Sequence, residues 1–290
     1  MSAIYKKELR SYFNGMIGAV FIGFILLIAG FYVAAANFAA GSAMFEYAIS
    51  GISFMYLPAI PVLTMRSISE EKSTKTDQLL YSLPISLSKI ILAKYFAIIT
   101  VLAIPMAVIG IYPLIMSLYG TVHFGVAYAA LFATFLLGCA LAAVGMFLSS
   151  LTENQVIAAV MSIAVFLVFY MITGLTSMIP TSAMSSMILF GCVAIVVGII
   201  LYFLTKNVPV STGVSGVLIA VDVVLFIVKK EIFDGAFAKV LGVLDVFGKT
   251  LNFYEGIFDV PAVVYYLSFV VLFVFFTIQS MEKKRWSEVD

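Results

Sequence analysis

Ionisable residues are scarce in this sequence, and the largest group lies between Arg66 and Lys94, in the stretch RSISEEKSTKTDQLLYSLPISLSKIILAK. Arg66, Glu70, Glu71, Lys72 and Lys75 place both signs of charge close together, a composition suited to docking rather than to bond breaking. Leu79, Leu80 and Leu83 then form a short apolar stripe, Pro84 interrupts it, and Ser86 or Ser88 can cap a following helix. This predicts a short helix held between two longer ones, rigid enough to pass force from a partner into both. A charged loop that only sets topology is the alternative. The other chemistry-bearing residue is Asp222, a carboxylate within an apolar segment. Such a residue is a candidate for substrate binding or transport. Ser211, Thr212 and Ser215 nearby leave open a satisfied structural role or a re-entrant placement.

Catalytic constellations are missing from the sequence. His123 is the single histidine, so neither a His-based metal cluster nor a triad with a second histidine can form, and no metal or cofactor is expected. GVLDVFGKT at 242–250 resembles a phosphate-binding loop, which needs four residues between its first Gly and Gly-Lys-Thr; here five separate Gly242 from Gly248. The chain is therefore not expected to be an enzyme. Cys139 and Cys192 sit in apolar runs and read as small packing residues.

The elements that position these residues follow from composition. Apolar residues make up 63% of the 290, charged residues 11%, and mean hydropathy is +1.17. Soluble domains carry about 25% charged residues, so this surface cannot be covered for water. The fold class expected is all-α, a polytopic transmembrane helical bundle of about eight spans, with six to eight possible at about 20 residues per crossing. The runs are Gly15–Ala36, Tyr47–Met65, Lys94–Tyr119, Val126–Ser149, Val156–Met178, Ser185–Thr205, Gly213–Val228 and Pro261–Ser280. The first is too long for a signal-peptide core of roughly 7–15 residues and reads as an uncleaved span. Pro58 and Pro61 predict a kink in the second.

Basic residues set the orientation. Lys6, Lys7 and Arg10, then Arg66, Lys72, Lys75, Lys89 and Lys94, then Lys206, then Lys283, Lys284 and Arg285 fall on one side of an even number of spans. Only Lys229, Lys230, Lys239 and Lys249 fall on the other, so both termini are expected in the cytoplasm. The whole chain, 1–290, reads as one transmembrane domain. Within it, 1–14 is an interfacial helix with Tyr5, Leu9, Tyr12, Phe13 and Met16 on its apolar face, 66–94 is a cytoplasmic loop, and 229–260 is an amphipathic segment on the outer face. Gly138, Ala142, Gly145 and Ser149 form a small-residue face, either for packing within the chain or for a dimer. A net charge of +1 gives no sign of a nucleic-acid partner.

The segment LTMRSISEEKSTKTDQLLYSLPIS resembles the region of ABC-2-type transporter permeases that joins the second span to the coupling helix, matching at Met65, Arg66, Glu70, Glu71, Lys72, Thr76, Leu79, Leu80, Pro84 and Ser86. Lys75 stands where that pattern has Gly, and Gln78 where it commonly has Glu. KELRSYFNGMIGAVF at 7–21, SSLTENQVIAA at 149–159 and VVYYLSFVVLFVFFTIQSMEKKRW at 263–286 resemble the family's entry helix, its fourth-to-fifth turn and its last span. The nearest similarity is to the gliding-motility and nitrous-oxide-reductase-maturation branch, although the spans at 185–205 and 213–228 exceed that family's usual six.

The resemblance implies a permease subunit, an exporter working by alternating access. It would pair as a homodimer or heterodimer in the inner membrane of a prokaryote, within the lipid bilayer. Arg66, Glu70, Glu71, Lys72, Thr76, Gln78, Leu79, Leu80 and Leu83 would contact a separate ATP-binding subunit. The competing readings are an ATP-independent secondary transporter or channel, and a non-transporting immunity or sensory factor of the membrane.

Overall fold

The structure, a computed structural model, describes residues 1–76, 85–180 and 182–287. Among them every regular element is helical, and seven helices are long and apolar enough to cross a membrane. An eighth, Ala183–Thr205, is 23 residues long, with an apolar stretch over Ala183–Ile199. The chain divides into two units: Met1–Val168 with Phe247–Asp290, and Phe169–Val246.

In the first unit, α1 (Ser2–Asn14) precedes α2 (Ile17–Val33), whose last turn widens into a π-helical turn at Ala34–Phe38. Then come α3 (Phe45–Thr64) and α4 (Arg66–Ser73). Met65 between them keeps helical angles, φ −53° and ψ −36°, so α3 and α4 form one rod of 29 residues, Phe45–Ser73. The rod passes through Pro58 and Pro61, where two rungs of the backbone ladder cannot form. Next are α5 (Leu87–Ile109), the short α6 (Tyr112–Met116), α7 (Phe124–Leu151) and α8 (Gln155–Met178).

One boundary differs from the sequence expectation: residues 66–73, placed in the loop, are helical. α5 starts just after Ser86, one of the two expected cap positions, so Lys94 lies two turns inside it. The turn before α8 is capped by Asn154, whose Oδ1 accepts the amides of Val156 and Ile157, while Thr152 Oγ1 accepts the amide of Asn154.

α7 is the centre of this unit: 78% of its most apolar window is buried, against 28% for α2. Its small residues explain how. A Cβ on Gly138 would come within 2.7 Å of Leu102, and one on Gly145 within 2.2 Å of the Thr64 hydroxyl. The small-residue face is therefore consumed by packing inside the chain, against α3 and α5. Polar bonds pin the same contacts: Tyr95 Oη donates to the Cys139 carbonyl at 3.0 Å, and the Tyr254 hydroxyl bridges Ser53 and Thr134.

α12 (Leu251–Tyr254) and α13 (Val260–Ser287) complete the unit. Phe253 and Ala262 pack on Ala133 near the start of α7, and Phe273 and Phe276 pack on Phe147 near its end. α13 thus runs parallel to α7, and carries Lys283 towards the end where Ser149 lies.

The second unit holds the rest of α8, then α9 (Ala183–Thr205), α10 (Val208–Val228), a 3-10 turn at Lys230–Phe233 and α11 (Ala236–Leu244). The segment whose apolar residues repeat from Phe233 to Leu251 is broken into pieces. Gly235, at φ +66°, starts α11, and the helix stops before Asp245.

Packing at Gly145 generates a prediction. Gly145→Ala must push α7 away from Thr64 and is expected to cost about 1–3 kcal/mol, measured by thermal or chemical unfolding of the purified protein. Combining it with Thr64→Ala should recover part of the loss, because the two atoms in conflict are then reduced to one.

Candidate functional site

The sequence-predicted charges meet at one end of the first unit, where α1, α4, the second turn of α5 and the last turn of α7 converge. α1 turns a face of Ile4, Tyr5, Glu8, Ser11 and Tyr12 inward, while Phe13 and Met16 stay exposed. The inward face differs from the apolar one expected because α1 packs on α5 (Ile4 against Ile90 and Ala93), and Tyr5 bonds to Thr100 at 2.9 Å. That rotation turns Glu8 into the molecule.

Lys94 is the centre of the site, only 4% exposed. Its ammonium lies 2.8 Å from Glu71 Oε1 and 3.2 Å from Glu8 Oε1, and donates to the Ser67 carbonyl at 3.0 Å. Three donors meet three acceptors, which is what makes a buried ammonium tolerable. One cation therefore ties α1, α4 and α5 together. Lys7, largely exposed, adds a looser approach to Glu71 at 3.8 Å.

Arg66 sits beside this group. Its Nε lies 2.8 Å from Glu70 Oε2 one turn ahead, and its Nη2 donates to Ser11 Oγ at 3.0 Å. Gly15 permits the reach, since a Cβ there would lie 2.9 Å from the guanidinium. Tyr12 Oη donates to the Leu63 carbonyl at 3.2 Å. Burial, reinforced by the charge of Glu8, holds that phenol well above its ordinary pKa, so it stays a neutral donor.

Lys72 is buried on the opposite face of α4, and its ammonium donates to the Ser150 carbonyl. Ser149 Oγ donates to the Met65 carbonyl at 2.8 Å and accepts from the amides of Ile68 and Ser69. These amides belong to the first turn of α4, which follows α3 without a full cap.

α4 ends in a Schellman turn. The Thr76 amide donates to the Glu71 carbonyl at 2.9 Å and the Lys75 amide to that of Lys72 at 3.2 Å, with Lys75 left-handed at φ +55°. This geometry favours glycine at the position Lys75 occupies, which is a physical reason for the Gly in the pattern it departs from.

Of the residues singled out from sequence, Arg66, Glu71 and Lys72 are thus engaged inside the molecule, whereas Glu70 is half-exposed and Thr76 exposed. Gln78, Leu79, Leu80 and Leu83 lie outside the described residues. Sequence reasoning missed Glu8 and Ser150, took Ser149 only as a small packing residue, and took Lys94 only as a topology charge. A lysine flanked by IILA and YFAII was the available signal, because an ammonium inside an apolar run needs a counter-ion.

Asp222 lies elsewhere, in the second unit. Phe190, Val193, Ala194 and Val197 of α9 face Leu218, Val221, Asp222 and Leu225 of α10 across a cavity of about 470 Å3, which Phe233 and Ala236 also line. Among the described residues no group of three His, Cys, Asp or Glu is placed to hold a metal ion.

Helices of this length and apolarity, with charges drawn into a seam at one end, define a multi-pass membrane protein. Residues 2–188 match the model of the ABC-2 family transporter protein, and the chain belongs to that family. The match includes every residue of the seam and ends before the cavity of α9 and α10. No curated protein matches the chain. The protein is therefore a membrane permease of ABC-2 type, a transport component that is not itself catalytic, in a family whose context is an ABC transporter with an ATP-binding subunit.

The seam makes two predictions. Lys94→Met leaves Glu8 and Glu71 without the ammonium between them, and is expected to cost about 3–5 kcal/mol, read as a lowered unfolding midpoint in detergent. Lys75→Gly should relieve the left-handed lysine and firm the end of α4 by about 1 kcal/mol, read as slower amide exchange at Thr74 to Thr76 without loss of assembly.

Proposed function

We propose that this permease is the membrane half of an exporter driven by ATP hydrolysis in a separate ATP-binding subunit, working by alternating access as a homodimer or heterodimer. The proposal places it in the plasma membrane of a prokaryote with both termini in the cytoplasm, nearest the gliding-motility and nitrous-oxide-reductase-maturation branch. The bias of basic residues supports this orientation, as does the parallel course of α7 and α13, with Ser149 and Lys283 towards one end.

The observation that carries the reading is the buried bridge Glu8–Lys94–Glu71. A partner that displaces the end of α4 would move α1 and α5 with it, because a buried ammonium held by two carboxylates cannot be left behind cheaply. Lys72 and Ser149 extend the same link to α7. In this reading Glu70, Thr76, Gln78, Leu79, Leu80 and Leu83 make the contact with the ATP-binding subunit. Arg66, Glu71 and Lys72 pass the displacement on.

Replacing Leu79 and Leu80 together with Glu tests the contact. Co-purification of the ATP-binding subunit and ATP-dependent transport should both be lost, with the unfolding midpoint of the permease unchanged. Intact assembly and transport in that variant would overturn the assignment.

A further inference from the structure

We propose that the cavity of α9 and α10 binds a lipophilic cation, with Asp222 as its counter-ion. The proposal deepens the transport reading by naming a class of cargo.

Asp222 is six residues before the end of α10, about 9 Å along the axis, within the apolar stretch Ser211–Val228. A carboxylate at that depth is costly and calls for a partner. No described residue forms an ion pair or hydrogen bond with it. Its Oδ2 faces Gly191 of α9, where a Cβ would lie 4.0 Å away; the missing side chain leaves space above the carboxylate. The charge therefore borders a cavity that is otherwise apolar.

Volume and lining choose the ligand. About 470 Å3 is within the range of small-molecule sites, which take apolar bodies and are oriented by a few polar groups. One carboxylate selects a single positive charge. A metal ion is a poor match, because the walls supply none of the additional oxygen ligands a hard cation needs. An organic cation matches both parts: its charge meets Asp222 and its body meets Val221 and Leu225. Phe190 and Phe233 add aromatic rings suited to cations, and are themselves set edge to face, with centroids 6.1 Å apart.

Equilibrium binding of tetraphenylphosphonium to the purified full-length permease in neutral detergent, without nucleotide or ATP-binding subunit, tests this site. It keeps failure here distinct from failure of the coupling. Saturable binding is expected, weakened at least about tenfold in Asp222→Asn and retained in Asp222→Glu. Ala194→Phe, which fills the cavity and keeps the charge, should also weaken it. Tetraphenylborate, of like shape and opposite charge, should not saturate. Equal affinity in Asp222→Asn, equal binding of the borate, or no saturable binding of the phosphonium to the unaltered protein would each overturn the proposal.

Discussion

The first unit depends on one buried ammonium. Lys94 lies among apolar residues of α5, where an uncompensated charge would be intolerable, and its three donors fix the positions of Glu8, Glu71 and the Ser67 carbonyl. Each acceptor comes from α1 or α4. Satisfying the charge therefore reinforces the rotation of α1 that its packing on α5 sets, and ties α4 to both helices. The exposed apolar residues of α1, Phe13 and Met16, are a consequence of the same rotation.

Around that seam the helices are held by close approach. Gly138 and Gly145 admit Leu102 and the Thr64 side chain to the backbone of α7, and dispersion across such contacts is the main cohesion available where lipid removes the hydrophobic drive. Close packing and polar pinning have different mechanical meanings. The glycine contacts permit little relative displacement, so movement entering at α4 is passed on as motion of whole helices. The Schellman turn at Lys75 is the boundary, since the left-handed residue there ends the helical ladder of α4.

The second unit is built on another principle. α9 and α10 meet through apolar rows and the Gly198–Ser215 approach, and only 6% of the apolar window of α10 is buried. Phe190, Phe226, Phe233 and Phe237 gather at one end of the pair. Asp222 is set in this apolar surround without the reciprocal partners that Lys94 has. The contrast between these two charges on apolar helices separates a structural ion pair from a group left available to a ligand.

How much was legible beforehand can be argued from these residues. Helix number and membrane character follow from runs of apolar residues, because a bilayer rewards length and composition whatever the packing. The start of α5 just after Ser86 was also readable, since a helix start depends on neighbours in sequence, whereas the helix of 66–73 was placed in a loop because its polar residues carry no apolar period of their own. The burial of Lys72 was not readable, because it is decided by a carbonyl 78 residues away. Nor was the pairing of Lys94 with Glu8, separated by 86 residues. Sequence alone determined that this chain crosses a membrane as helices and carries a charged segment after its second span. Only the tertiary structure decided which of those charges face one another, because ion pairing in a dry interior is set by distances between helices that no local pattern encodes.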